Sequence, residues 1–446
     1  MDAGGDDRAG PRVPTSFREA IAVERTLCAD LAATLPPPPA APPRLLVAGW
    51  VAHIRRLGGL AFLLLRDRTG TLQAVWEGAA GHLPAREAFV EVRGVPRAEA
   101  RAPGGVELVA EQIEVLAVPS CPPPFPLHRA DLPVALETLL EHRAAALRHP
   151  RERAVFAVQA ALTRGFRTHL DRLGYSETHT PKIVGTATEG GADVFAVDWF
   201  GRRVHLAQSP QLYKQMLVLA GFEQVYEVAA VYRAEPHDTA RHLNEYVSMD
   251  VETVLLAGGT EEALIALERE LLGAMFGQVE SDAAPALDLL GVRALPDPAR
   301  AQVLPLQEAL RVVGRPDLDP EGERRLAERV GDMVFVNEWP AAARPFYAMP
   351  DPRRPGSTRS FDLILRGLEV TTGGQREHRP AMLRRALAAR GMDPGPFGAY
   401  LAAFELGAPP HGGFAIGLER LTARIAGLDN VRRASLFPRD RTRVTP

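Results

Sequence analysis

The chain has 446 residues, with 52 Lys and Arg against 55 Asp and Glu for a formal net charge of −3, room for more than one domain. That balance excludes a globally basic surface, so a nucleic acid would have to be met by local arginine clusters. No apolar run is long enough to span a bilayer, and two distant cysteines without metal-ligand spacing, Cys28 and Cys121, argue against a disulfide scaffold or a zinc site and suit a reducing cytoplasm.

In chain order, residues 1–15 are acidic and Gly-rich and read as a disordered tail. Phe17, Ile21, Leu27 and Leu31 recur at helical spacing, which predicts a small packing helix over Ser16–Leu35. Pro36 to Pro43 is a stiff spacer that closes an N-terminal segment of residues 1–43. Residues 44–118 change to short alternating runs: Leu45–His53, Ala61–Asp67, Gln73–Trp76, Ala88–Val95 and Val106–Val115. Strands so closely spaced, with Gly turns between them, suit a small β-barrel of the OB type, which often binds single-stranded nucleic acid. Residues 119–150 are Pro-rich, then helical, and read as a hinge. Residues 151–446 mix helices and strands, beginning with an amphipathic helix over Arg151–Leu173; residues 281–330 are less regular and read as an insertion.

Four segments of this last region carry chemistry. Thr188-Glu189-Gly190-Gly191 is a Gly-rich loop of the kind that closes over ligands. Ser209-Pro210 reads as a helix start, with Ser209 as N-cap, which puts Gln211 and Lys214 on one helical face. Lys182 and Lys214 are the only lysines. The run Val231-Tyr232-Arg233-Ala234-Glu235, a polar loop, and Arg241-His242-Leu243-Asn244-Glu245 read as two antiparallel strands with cations aimed at something anionic and planar. Finally, Leu365 to Arg376 is a strand running into a Gly turn, and Gly412 to Arg420 is a Gly-rich strand feeding a helix.

Together these motifs resemble those of the aspartyl-tRNA synthetases of class II, most closely the archaeal and eukaryotic type that some bacteria carry as a second copy. The resemblance covers residues 45–446 and implies an α+β chain: an OB-fold anticodon barrel, then an antiparallel-sheet catalytic domain flanked by helices. It implies that Glu189 caps the substrate amino group, and that Gln211, Lys214, Thr372 and Arg376 line the aspartate pocket. Arg233 would bridge the aspartate carboxylate and the α-phosphate of ATP. Glu235, Arg241, His242 and Leu243 would contact the nucleotide, with Tyr246 against adenine. Glu369 and Thr372 resemble the pair that places Mg²⁺ on the phosphates, where many relatives have serine instead of Thr372. Gly417, Leu418, Glu419 and Arg420 resemble motif 3, with Arg420 on the γ-phosphate. In the barrel, Phe62 would stack on an anticodon base while Gln73 and Glu107 read base edges; its apolar neighbours suit a core position for Phe62 equally.

The implied partners are ATP, L-aspartate and tRNA(Asp), with a homodimer formed through the motif 1 segment that Pro181 ends. Relatives restricted to tRNA(Asp) often carry a bulky aromatic near the second strand, where this chain has Ala52 beside His53; that inclines the expectation toward charging tRNA(Asn) as well. Lys214 and Arg376 would select aspartate over asparagine, and replacing either by an apolar residue is expected to abolish adenylation with the fold intact. Rival readings are an asparaginyl-tRNA synthetase, an asparagine-forming ligase and a catalytically dead RNA-binding paralogue.

Overall fold

The computed structural model describes residues 25–35, 41–78, 83–186, 194–236 and 239–445. Two compact units divide at Val134/Ala135. In the first, β1 (Leu45–Leu57), β2 (Leu60–Arg66), β3 (Thr71–Trp76), β4 (Phe89–Ala98) and β5 (Val106–Ala117) close into a barrel of order β1-β2-β3-β5-β4. Alternate residues Leu63, Leu65, Leu72, Ala74, Val90, Val92 and Leu108 fill it, as the period of two requires. The predicted N-terminal helix is corrected in its described part, where Cys28–Thr34 is a 3₁₀ helix that plugs the barrel with the fully buried Leu31. The rest of that helix, and the tail before it, lie outside the described residues.

The second unit is built on an eight-stranded sheet. Its first half is β6 (Ser176–Glu177), which pairs with β10 (Gln224–Tyr232); β11 (Glu245–Val254) follows as the return arm of the β10 hairpin. Between β6 and β10, the short strands β7 (Ile183–Val184), β8 (Ala196–Trp199) and β9 (Arg202–Leu206) form a separate three-stranded sheet. The second half comprises β12 (Gln302–Pro305), β13 (Met333–Asn337), β14 (Ser360–Leu365), β15 (Leu368–Gln375) and β16 (His411–Gly417), and β16 lies between β15 and β11.

Two long helices cover one face: α1 (Pro150–Arg172), with Pro at its first position, and α3 (Glu261–Asp282), capped by Thr260. The shorter α2 (Gln211–Leu217) lies between them in sequence. Val155, Leu162 and Phe166 of α1 and Leu271, Leu272 and Met275 of α3 pack with Phe335, Phe361 and Phe414 of the sheet in one core. Gly165 lets the helices approach, because a Cβ there would lie 2.7 Å from the Met275 Cα. The segment 281–330 is more regular than its sequence suggests. It supplies edge strand β12, parallel to β13, and helices α4 (Leu306–Val313) and α5 (Pro320–Arg329), whose apolar sides join Val334, Val336 and Ile364 in a second core.

Candidate active site

β10 and β11 pair from Gln224↔Thr253 to Tyr232↔Glu245, so Arg233 leaves the end of one strand as Glu245 enters the other. Asn244 ties this end: its amide donates to the carbonyls of Arg233 (2.7 Å) and Glu235 (3.2 Å), and its own carbonyl accepts from the Arg233 N–H (2.9 Å). The Arg233 guanidinium then stands 5.8 Å from the Tyr246 ring. Beyond it, His242 approaches Glu235 at 3.3 Å. On the other side, β16 ends at Gly417 and α6 (Leu418–Ile425) begins, presenting Arg420, whose Nη1 donates to the Glu369 carbonyl (3.0 Å).

These elements enclose a cavity of about 660 Å³. Gln211, Arg233, Glu235, Arg241, His242, Leu243, Tyr246, Glu369, Thr372, Arg376, Gly417, Glu419 and Arg420 all line it. Two assigned residues do not. Leu418 turns its side chain into the core, as the first apolar position of an amphipathic helix should. Lys214 lies behind the cavity wall, its ammonium 3.0 Å from Asp250 and 3.3 Å from Glu252, its side chain 3% exposed. Glu189 falls outside the described residues. The start of α2 lies one position beyond its expected place: Pro210 is the N-cap, while the Ser209 hydroxyl still accepts from the Gln211 N–H (3.3 Å).

Lys214 and Arg376, the two cations expected to select aspartate, are both engaged by Glu252. Its fully buried carboxylate takes Arg376 Nε at 3.1 Å as well as the Lys214 ammonium. Burial alone would raise its pKa, but Arg376 and Lys214 outweigh that and hold it below the usual carboxylate range. Lys214, Arg376, Asp250 and Glu252 therefore make a neutral cluster, and removing one cation leaves a carboxylate uncompensated in the low-dielectric interior. The fold is not expected to be indifferent to such a change.

Behind the cluster, His411 Nδ1 faces the Pro409 carbonyl at 2.8 Å and must carry its proton, leaving Nε2 to accept from Gln215 (3.0 Å). Gln215 Oε1 in turn accepts from Gln211 (3.1 Å) and Tyr400 (3.2 Å). Burial lowers the His411 pKa, in keeping with a neutral ring. Sequence reasoning assigned no role to Asp250, Glu252, Gln215 or His411. The available signal was Asp250 and Glu252, acids at alternate positions that interrupt the apolar run Met249, Val251 and Val254.

A metal on the phosphates would meet Glu369, whose Oε1 lies 3.5 Å from the Thr372 hydroxyl. Asp362, a further residue without a role in the sequence reading, stands opposite Thr372 in the β14–β15 pairing. It is buried, its Oδ2 accepts from Arg344 at 2.6 Å, and the Thr372 hydroxyl lies against its carboxylate. Burial raises its pKa; Arg344 opposes this and Glu369 adds to it. Among the described residues no group of three or more Asp, Glu, His or Cys gathers tightly enough to cage a metal. Two carboxylates beside one hydroxyl, an all-oxygen donor set, suit a hard, water-keeping cation shared with a polyphosphate.

In the barrel, Phe62 lies outside the core, half-buried, with the Arg55 guanidinium 5.0 Å from its ring. Gln73 donates to Glu107 (2.8 Å), which also accepts from Arg97 (2.9 Å). Ala52 sits at a bulge in β1, between Val51 and His53, and lines a second cavity of about 640 Å³.

A strand-built cavity of this kind, framed by a cationic hairpin and a strand–helix junction, is that of a nucleotide-using ligase. The chain belongs to the class II tRNA synthetases (D, K and N), whose family model matches residues 135–441, while an OB-fold nucleic acid binding domain matches residues 45–116. It is 47% identical over 410 residues to the aspartate–tRNA(Asp/Asn) ligase of Thermus thermophilus, covering 89% of this chain and 96% of that one. The ligase of the same name from Deinococcus radiodurans is 45% identical over 417 residues, covering 89% and 94%. Among solved structures, asparaginyl-tRNA synthetase from Pyrococcus horikoshii complexed with asparaginyl-adenylate superposes with a TM-score of 0.85 at 30% identity, covering 95% of this chain and all of that one.

Proposed function

We propose that the chain is an aspartate–tRNA ligase that activates L-aspartate with ATP and transfers it to the 3′ end of tRNA(Asp), and of tRNA(Asn) as well. The observation that carries the reading is the shared cavity: Arg233, Arg420 and Arg376 all line a single space. The aspartate α-carboxylate attacks the α-phosphorus and pyrophosphate leaves, giving aspartyl-adenylate; the 3′-terminal hydroxyl then attacks the aspartyl carbonyl and AMP leaves. Arg233 holds the attacking carboxylate and the α-phosphate together, as one guanidinium can grip two anionic oxygens. Arg420 steadies the departing end, and no covalent enzyme intermediate is required. Mg²⁺, held by Glu369, Thr372 and Asp362, would supply charge neutralisation on the phosphates.

Aspartate is favoured over asparagine because Arg376, even while paired with Glu252, presents a guanidinium at the cavity wall. The relaxed tRNA choice is supported by the names of the relatives and by the small Ala52 where a bulky ring would narrow the barrel surface. A homodimer and a cytoplasmic location belong to the same reading; both Cys28 and Cys121 are free thiols, which suits a reducing compartment. ATP–pyrophosphate exchange run with aspartate and asparagine in parallel, followed by charging of the two purified tRNAs, tests it. Exchange with asparagine alone would overturn the substrate, and charging of tRNA(Asp) only would overturn the relaxed specificity.

A further inference from the structure

The segment 281–330 reaches the cavity wall through one side chain. Glu323, in the first turn of α5, is buried, and its carboxylate bonds to the Arg241 guanidinium and accepts from the Glu369 N–H at 2.8 Å. The Glu369 carbonyl accepts from Arg420 Nη1 (3.0 Å), and Arg420 Nε reaches back to the Arg241 carbonyl (3.4 Å). Four residues from four separate segments thus close a ring: Arg241, Glu323, Glu369, Arg420. Arg241, Glu369 and Arg420 line the cavity, while Glu323 stands behind them and joins the first two through a single carboxylate. Asp319 caps α5 by accepting from the Gly322 N–H (2.8 Å), which fixes the turn that carries Glu323.

We propose that Glu323 is a positioning residue for ATP: it holds the long, flexible Arg241 side chain in the place where it meets the phosphates, and anchors the start of β15 so that Glu369 faces Thr372. The inference rests on reading the cavity as the ATP site. Without the Glu323 carboxylate, Arg241 loses the anion that holds it and must be ordered at the moment of binding. Ordering one rotamer-rich side chain corresponds to roughly three- to tenfold in affinity. The effect should therefore fall on ATP and spare aspartate, which meets Arg376 and Gln211 elsewhere in the cavity.

Glu323→Gln is the discriminating variant, since its side-chain oxygen can still accept from the Glu369 N–H while the ion pair to Arg241 is lost. In ATP–pyrophosphate exchange it is expected to raise KM for ATP roughly three- to tenfold and leave KM for aspartate unchanged. Isothermal titration with ATP and Mg²⁺ should weaken by the same factor. Glu323→Leu, which removes the acceptor too, should cost more, and also lower kcat. An unchanged or lowered KM for ATP in Glu323→Gln would overturn the proposal, as would equal losses for both substrates. A wild-type chain without exchange would instead bring down the ATP-site reading itself, which keeps the two failures apart.

Discussion

Lys214 is one of only two lysines in an arginine-rich chain, and its environment explains why an ammonium stands there. It donates to Asp250, to the Val251 carbonyl (3.2 Å) and to the Phe414 carbonyl (3.5 Å), three acceptors around a compact point charge rather than a planar pair suited to a guanidinium fork. Ser248 closes the shell on the far oxygen of Asp250 at 2.6 Å. Because the cluster is neutral and buried, Lys214→Met does more than alter the substrate pocket. It strands Asp250 and Glu252 without one of their two cations, a change worth ~3–5 kcal/mol when a buried pair is broken. The expected outcome is loss of aspartate-dependent exchange together with a clear drop in the urea midpoint at neutral pH. A midpoint equal to that of the wild type would show that Lys214 carries substrate binding alone.

At the scale of elements, the interface between α3 and the sheet holds a further buried acid. Glu268 faces β15, where burial pushes its carboxyl up to about 8; the Thr371 hydroxyl offsets this a little, and Asp362 adds to it. Its folded pKa lies above the unfolded value, so between about pH 4.5 and 8 the folded chain binds the extra proton. Stability contributed by the neutral carboxyl is present at the acid end of that window and is lost as pH rises through it. Glu268→Gln, which keeps the shape and cannot ionise, should match the wild type near pH 5. Near pH 9 it should be the more stable by roughly 4–5 kcal/mol, read from denaturant midpoints at the two values. The reverse order at pH 9 would sink this account. The contrast between Glu268 and α1 also marks what a sequence can convey. The α1 helix and the barrel strands are legible because their periods of 3.6 and 2 are written in neighbouring residues, and Ser209-Pro210 comes within one position of the true cap. By contrast β12 is a four-residue edge strand, too short for a pattern, and α5 meets Arg241 across 82 positions. Arg233, Arg241, Arg376 and Arg420 of the cavity lining were legible from the resemblance, whereas Arg344 and Arg390, which also line it, were not. Glu252 and Glu323, which pair with Arg376 and Arg241, were not, because Glu252 meets Arg376 only once β11 and β15 flank β16, 124 positions apart.

For the whole molecule, the division at Val134/Ala135 separates two chemistries that a single stretch of sequence could have mixed. The cavity lining runs from Gln208 to Val431 and lies wholly in the second unit, which has its own core. Phe62, Gln73 and Glu107 lie wholly in the first, whose barrel core is likewise its own. Under the proposed function, activation of aspartate draws on the cavity, whereas recognition of a tRNA adds interactions with unstacked bases, each stacked base worth ~1–3 kcal/mol. A chain of residues 135–446 should therefore keep ATP–pyrophosphate exchange with aspartate close to that of the full protein. Its KM for tRNA should rise by about tenfold or more for every anticodon base that the barrel would have stacked. The full chain, with local arginines meeting the phosphates, should lose tRNA affinity steeply as salt rises, and residues 135–446 should lose it with a shallower slope because fewer phosphates are engaged. Exchange that collapses in the shortened but folded chain would mean that the first unit helps to build the cavity. An unchanged KM for tRNA would mean that the barrel does not read the anticodon.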